Sequence, residues 1–187
     1  MSDNFLPDEF TGIPQGETNY LKFEEGENIF RILSSAIIGY EYWTGQDKDR
    51  KPVRVHTLDE VPEEFLNNKD NRQNAKYFWA FIVYNPKTKS IQLLEVKQKT
   101  ILRSLEALVK SKAWGDPKLY NIMVTKTKTG SEDRDVEYSV MPEPKEELDK
   151  GILKLYKDMD LDLSALYKGD DPFKGGDINP DDIPADL

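Results

Sequence analysis

The sequence predicts a mainly β domain of five strands with one helix between the third and fourth, followed by a second helix and an acidic tail. Three observations carry this. Runs rich in aromatic and β-branched residues fill the middle of the chain, a single stretch with helical spacing falls at residues 100–112, and proline, glycine and acids collect at the two ends. At 187 residues the chain suits one domain of ordinary size with tails.

The opening stretch through Gly26 carries Pro7, Gly12, Pro14 and Gly16 among scattered acids, too little apolar surface to fold alone, and reads as an arm. Residues 28–34 and 36–43 then form a long first strand, in which Gly39 is expected to mark a bend. Residues 44–75 are polar, with a short strand at 53–56 and a short helix near 63–66, and read as a long loop of functional length. The strongest strand signal follows, Lys76–Asn85, joined through Pro86-Lys87-Thr88-Lys89 to a run at 90–97, a β-hairpin. Ile101, Leu105 and Leu108 place an amphipathic helix at 100–112, which Trp114-Gly115-Asp116-Pro117 stops. Two alternating strands at 120–127 and 136–141 close the series.

That order matches the OB-fold, a five-stranded barrel with a helix between strands 3 and 4, and a glycine bend in the first strand favours barrel closure. A generic sheet with one covering helix is the alternative. After Pro142 and Pro144 a C-terminal helix is expected at 145–157, with Leu148, Ile152, Leu155 and Met159 as its apolar face. The division is then an acidic arm at 1–27, the OB-fold domain at 28–143, a helical segment at 144–168 and an acidic flexible tail at 169–187.

The net charge of -9 conceals a division. Residues 1–30 hold one cation against seven acids, residues 31–130 hold 18 against 11, and residues 131–187 hold seven against 17. A basic, aromatic centre is thus flanked by acidic arms, a pattern that overall charge does not reveal. Cysteine is absent, which excludes disulfides, thiolate metal sites and cysteine nucleophiles. With no apolar run approaching a membrane span and no signal-like N-terminus, the expectation is a cytoplasmic protein that does not enter membranes.

Single strands are bound by rings that stack on bases, at roughly 1–3 kcal/mol per base, and by cations that follow the phosphates. Tyr42, Trp43, Tyr77 and Trp79 are the candidate stacking residues. Arg31, Lys51, Arg54, Lys76, Lys97, Lys126 and Lys128 are the candidate phosphate ligands. Competing with this is a purely structural use of the rings, some in the core and the outer ones covered by the helix after Pro144. In the tail, Asp181, Asp182, Ile183, Pro184 and Leu187 form a candidate partner-binding segment that also competes for a basic groove.

Catalytic patterns are poor. His56 is the only histidine, and Asp158, Asp160 and Asp162 begin a calcium-loop pattern without its glycine and glutamate. No phosphate loop, G-x-G-x-x-G or nucleophile elbow is present. The expectation is a non-enzymatic protein with no catalytic residues, no metal and no cofactor. A protein-interaction module of a larger assembly that does not bind nucleic acid is the alternative, with a metal-dependent nuclease behind it.

Ordered motifs across residues 20–148 carry a family resemblance. They are Tyr20-Leu21-Lys22-Phe23-Glu24-Glu25-Gly26-Glu27-Asn28, Phe30-Arg31-Ile32-Leu33-Ser34, Gly39-Tyr40-Glu41-Tyr42-Trp43, Lys51-Pro52-Val53-Arg54, Phe78-Trp79-Ala80-Phe81, the run Ile91 to Val96 before Lys99-Thr100-Ile101, Trp114-Gly115-Asp116-Pro117 and Tyr138-Ser139-Val140-Met141-Pro142. Together they resemble phage single-stranded DNA-binding proteins related in plan to the T4-type helix-destabilising protein. The resemblance implies an OB barrel that coats single-stranded DNA in the host cytoplasm during replication, recombination and repair, with an acidic C-terminus contacting phage replication or recombination proteins. The zinc that family holds with cysteines and histidine is not implied here, because the cysteines are missing. The ending is similar to the Asp-Asp-Ile-Pro-Phe end of bacterial single-strand-binding proteins, with Ala185-Asp186-Leu187 in place of the phenylalanine.

Overall fold

A computed structural model describes residues 19–173. Seven strands form one antiparallel sheet: β1 Gly26–Ile32, β2 Ile37–Thr44, β3 Lys51–Val55, β4 Lys76–Asn85, β5 Ser90–Val96, β6 Tyr120–Lys128 and β7 Val136–Lys145. Their order is β3-β2-β4-β1-β6-β7, with β5 on the other edge of β4. Helix α1, Lys99–Lys110, lies between β5 and β6, and helix α2, Lys150–Met159, follows β7. Among the described residues no helix is long and apolar enough to cross a membrane.

The expected long first strand is split. β1 pairs with β4 at Tyr84 and Val83, and β2 pairs with the same edge of β4 from Ala80 back to Lys76. At the break, Leu33 N–H donates to the Ile82 carbonyl (2.9 Å) and the Ser34 hydroxyl oxygen accepts from Ile82 N–H (2.8 Å), so the side chain replaces a ladder carbonyl. The bend therefore falls at residues 33–36, and Gly39 stays in β2 opposite Phe78. Its absent side chain serves a different purpose. A Cβ there would lie 2.2 Å from the Val55 carbonyl oxygen, so only glycine lets β3 approach.

Barrel closure is also corrected. The outer edge of β5 is occupied by residues 19–21, which run parallel to it: Leu93 N–H donates to Asn19 O (2.7 Å) and Leu21 N–H to Leu93 O (2.9 Å). β7 pairs with β6 alone, and the sheet stays open. Because Tyr20, Leu21 and Phe23 are buried, the N-terminal part of the fold begins well before the expected boundary at residue 28. The rest of the expected arm lies outside the described residues, as do residues 174–187 of the expected tail.

The hairpin of β4 and β5 forms as its alternation predicts, with Asn85 opposite Ser90. α1 buries Ile101, Leu102 and Leu105, and closes a core with Phe30, Phe81, Leu94, Tyr120 and Ile122 on one face of the sheet. A second core lies on the opposite face. There Phe78, Ala80, Ile82 and Leu93 are covered by Tyr20 and by Leu163 and Leu166 of a short 3-10 helix, Leu163–Lys168. β7 runs through Pro142 and Pro144, which an edge strand tolerates, so α2 begins at Lys150 instead of 145. Asp149 caps it by accepting from Gly151 N–H (2.7 Å). The expected apolar face packs only in part: Leu148, just before α2, turns toward the second core together with Tyr156 and Ile152 is half-buried, but Leu155 and Met159 are exposed.

Candidate functional site

β4 presents two faces, and their fates differ. Phe78, Ala80 and Ile82 lie under the C-terminal segment. On the other face Phe81 and Val83 join the first core, but toward the strand's start Trp79 is half-buried and Tyr77 is 39% exposed. Tyr40, opposite Tyr77 in β2, places its ring 5.3 Å away, and Trp79 Nε1–H donates to the Tyr77 hydroxyl (3.2 Å). These rings and exposed Ile38 make an apolar strip at the open end of the sheet.

A cleft of about 800 Å3 lies where β2 leads into the long loop. Trp43 forms one wall, with Phe65 beyond it and Arg50, Arg72 and Lys76 around the rim. The Arg50 guanidinium sits 4.8 Å from the centre of the indole ring, a cation–π contact, and leaves the ring half-exposed. Arg72 is anchored by Asp70 (3.1 Å), whose carboxyl that hydrogen-bonded guanidinium holds below its usual range. A second groove of about 570 Å3 shares Arg50 with the cleft, and Lys48, Lys51 and Lys168 supply further cations beside Tyr167. Tyr167 is fixed there by stacking on His56 at 3.8 Å and by donating to Ile38 O (2.6 Å).

Below the cleft floor is a four-residue ion network. Arg54 Nη2 contacts Glu41 Oε2 (2.9 Å) and Glu95 Oε2 (2.7 Å), and Lys97 Nζ contacts Glu41 Oε1 (2.7 Å) and Glu95 Oε1 (3.2 Å). None of the four side chains exceeds 6% exposure. Burial and the nearby Glu95 carboxylate push the Glu41 carboxyl up. Glu95, although also buried, is held well below the usual range by Arg54 and Lys97.

Several expected site residues are therefore corrected. Arg54 and Lys97 neutralise buried carboxylates and do not face solvent as phosphate ligands. Arg31 is buried as well, donating to Asn121 Oδ1 (2.8 Å) and Glu146 O (2.9 Å), and so fastens β1 to β6 and the end of β7. Tyr42 is buried against the ring of Phe65 (4.7 Å) and cannot stack on a base. Trp43 and Lys76 do meet in the cleft, with Lys51 in the adjoining groove. Tyr77 and Trp79 pair with Tyr40 and Ile38 and so lie on the opposite face of the sheet from Trp43. Lys128 is exposed at the end of β6, and half-buried Lys126 donates to Phe23 O (3.4 Å), so neither lines the cleft. Asp181, Asp182, Ile183, Pro184 and Leu187 lie outside the described residues.

Arg50, Arg72 and Phe65 are not singled out by the sequence. All three sit in the 44–75 loop, whose length marks it as functional without indicating which side chains point inward. Comparison with family models, curated proteins and solved structures finds no match for this chain. What it binds must therefore be argued from the cleft.

Proposed function

We propose that the chain binds and coats single-stranded DNA without strong sequence preference, as a non-enzymatic cytoplasmic protein of replication, recombination and repair. The observation that carries this reading is the cleft itself: a half-exposed indole ringed by Arg50, Arg72 and Lys76, continuous through Arg50 with the lysines of the second groove. A ring for bases beside cations for phosphates is the combination that sequence-tolerant strand binding requires.

The sheet supports an open OB-type reading. Taking β1 and β2 as one broken first strand, it pairs with the β4 and β6 strands, β4 pairs with β5, and β6 with β7. OB-folds bind oligonucleotides on a sheet face flanked by the loop after the first strand and the final hairpin loop. Here Asp70–Arg72 of the long loop and Glu132–Arg134 of the β6–β7 turn border a common hollow. A second reading, a protein-interaction module, is favoured by exposed Leu119 and Leu153 beside an apolar hollow at the start of α2.

Tryptophan fluorescence during titration with oligo-dT tests the proposal. Quenching that saturates at low salt and weakens steeply with added salt is expected. A flat titration at low salt refutes it. Parallel titrations with duplex DNA and RNA read the preference, because the 2'-hydroxyl is what distinguishes the two single strands.

A further inference from the structure

We infer that Glu41 is the positioning residue of the cleft: its carboxylate, clamped by Arg54 and Lys97, sets the orientation of the Trp43 indole. In the binding reading above, on which the functional half of this inference rests, that indole is the surface a base stacks upon.

Residues 41 and 43 lie on the same side of β2, two apart, and Trp43 Nε1–H donates to Glu41 Oε1 at 3.0 Å. An indole has one donor, so this bond fixes the ring about its long axis. The same oxygen accepts from Lys97 Nζ, and the other contacts Arg54 Nη2, so the carboxylate cannot rotate without losing a buried ion pair. Arg54 is in turn held by Glu95 through two contacts, Nε at 3.0 Å and Nη2 at 2.7 Å. The exposed Arg50 guanidinium lies over the ring at 4.8 Å, and the indole also packs against the second core. The edge of the indole is thus fixed by Glu41, and the face under Arg50 is the one a base would take in exchange for the guanidinium.

Such a chain also makes the platform respond to protons. The charged and titratable groups facing Glu41 are Arg54 of β3, Glu95 of β5, Lys97 beyond it, and Lys76 opposite in β4, with Tyr20 near Arg54 and buried Asp171 near Tyr20. Within the ion network itself, Glu41 and Glu95 balance Arg54 and Lys97. A proton on Glu41 weakens its acceptance from Trp43 and frees Lys97 to turn wholly to Glu95.

The test follows the three indole N–H resonances of the full chain by 1H–15N NMR, with the Trp43 peak assigned as the one lost in Trp43→Phe. In the unaltered protein that peak is expected to move through a single-proton transition above the ordinary glutamate range, near pH 7. Glu41→Gln is expected to abolish the transition and displace the Trp43 peak, leaving the Trp79 and Trp114 peaks in place; a general loosening would move all three. A Trp43 peak that ignores Glu41→Gln, or a transition that survives it, overturns the inference. If the variant does not fold, the unaltered protein decides: the Trp43 transition must coincide with the 13C titration of the Glu41 carboxyl, and its absence overturns the inference. For oligo-dT, Glu41→Gln should weaken binding about three- to tenfold, part of one stacking contact, and the difference should vanish in a Trp43→Phe background. Unchanged affinity alongside a displaced Trp43 peak overturns the positioning role. If oligo-dT moves no resonance in the unaltered protein, the DNA reading fails while the Glu41–Trp43 coupling stands on its own titration.

Discussion

Replacing Arg54 with methionine should destabilise the protein severely, although the residue looks from the sequence like one more cation of the basic segment. Its side chain is fully buried and touches both Glu41 and Glu95. Methionine fills much of the volume but leaves two buried carboxylates with only Lys97 between them. Removing one partner from a buried ion pair costs about 3–5 kcal/mol, because the remaining charge stays desolvated. At about 2–4 °C per kcal/mol for a chain of this size, the melting temperature should fall by roughly 6–20 °C. The same logic predicts strong non-additivity. Arg54→Met combined with Glu95→Gln leaves one carboxylate opposite one ammonium, so the double variant should be more stable than the sum of the single losses by at least about 1 kcal/mol. Lys51→Ala, at an exposed position, should change stability by less than about 0.5 kcal/mol. Urea unfolding followed by circular dichroism measures the four variants, Glu95→Gln alone included, against the unaltered protein. A loss below about 1 kcal/mol for Arg54→Met, or simple additivity with Glu95→Gln, would refute the buried network.

Three further outcomes follow from the same packing. Glu41 has its carboxyl raised to about 7, so the folded state holds that proton more tightly than the unfolded chain does. Its contribution is complete below the ordinary carboxylate range and is lost as pH rises toward neutrality; Glu95, held low, contributes in the opposite sense and loses its part in acid. Thermal melts should therefore show stability declining from about pH 5 to pH 8, with the decline flattened in Glu41→Gln; a rise across that range contradicts the assignment. Gly39→Ala should cost about 1–3 kcal/mol in urea unfolding, since its methyl would meet the Val55 carbonyl; a neutral substitution would mean β3 can withdraw freely. Leu166→Ala, fully buried in the second core, should cost about 2–5 kcal/mol and raise binding of a hydrophobic dye as Phe78 and Ile82 are uncovered; unchanged dye binding would show the C-terminal segment to be a weak cover.

Much of the secondary structure was readable because its causes are local. The β4–β5 hairpin follows from alternation on either side of a four-residue turn, and α1 from the spacing of Ile101, Leu105 and Leu108. The basic character of residues 31–130 was equally a property of composition. What failed were statements about which side a residue faces and what lies over it. Arg31, Arg54 and Lys97 were counted with the surface cations, yet each is buried by partners at sequence distances of 40 residues or more, Asn121 for the first and Glu95 and Glu41 for the others. Gly39 was explained by a bend when its cause is the Val55 carbonyl of another strand.

The sequence by itself determined most of the strand and helix runs, how charge is divided, and that rings and cations coincide in one region. Only the tertiary structure decided which rings remain open. Period-two alternation assigns Trp43 and Tyr42 to opposite faces but cannot say which ring is covered: Phe65 of the long loop stacks on Tyr42, while Trp43, on the face where Leu163 and Leu166 close over Phe78, stays half-exposed. It also decided that the sheet stays open: residues 19–21, and not β7, hydrogen-bond to the outer edge of β5. Burial is a property of contacts between distant parts of the chain, so a cation in a strand is a surface ligand or a core counterion according to what packs over it.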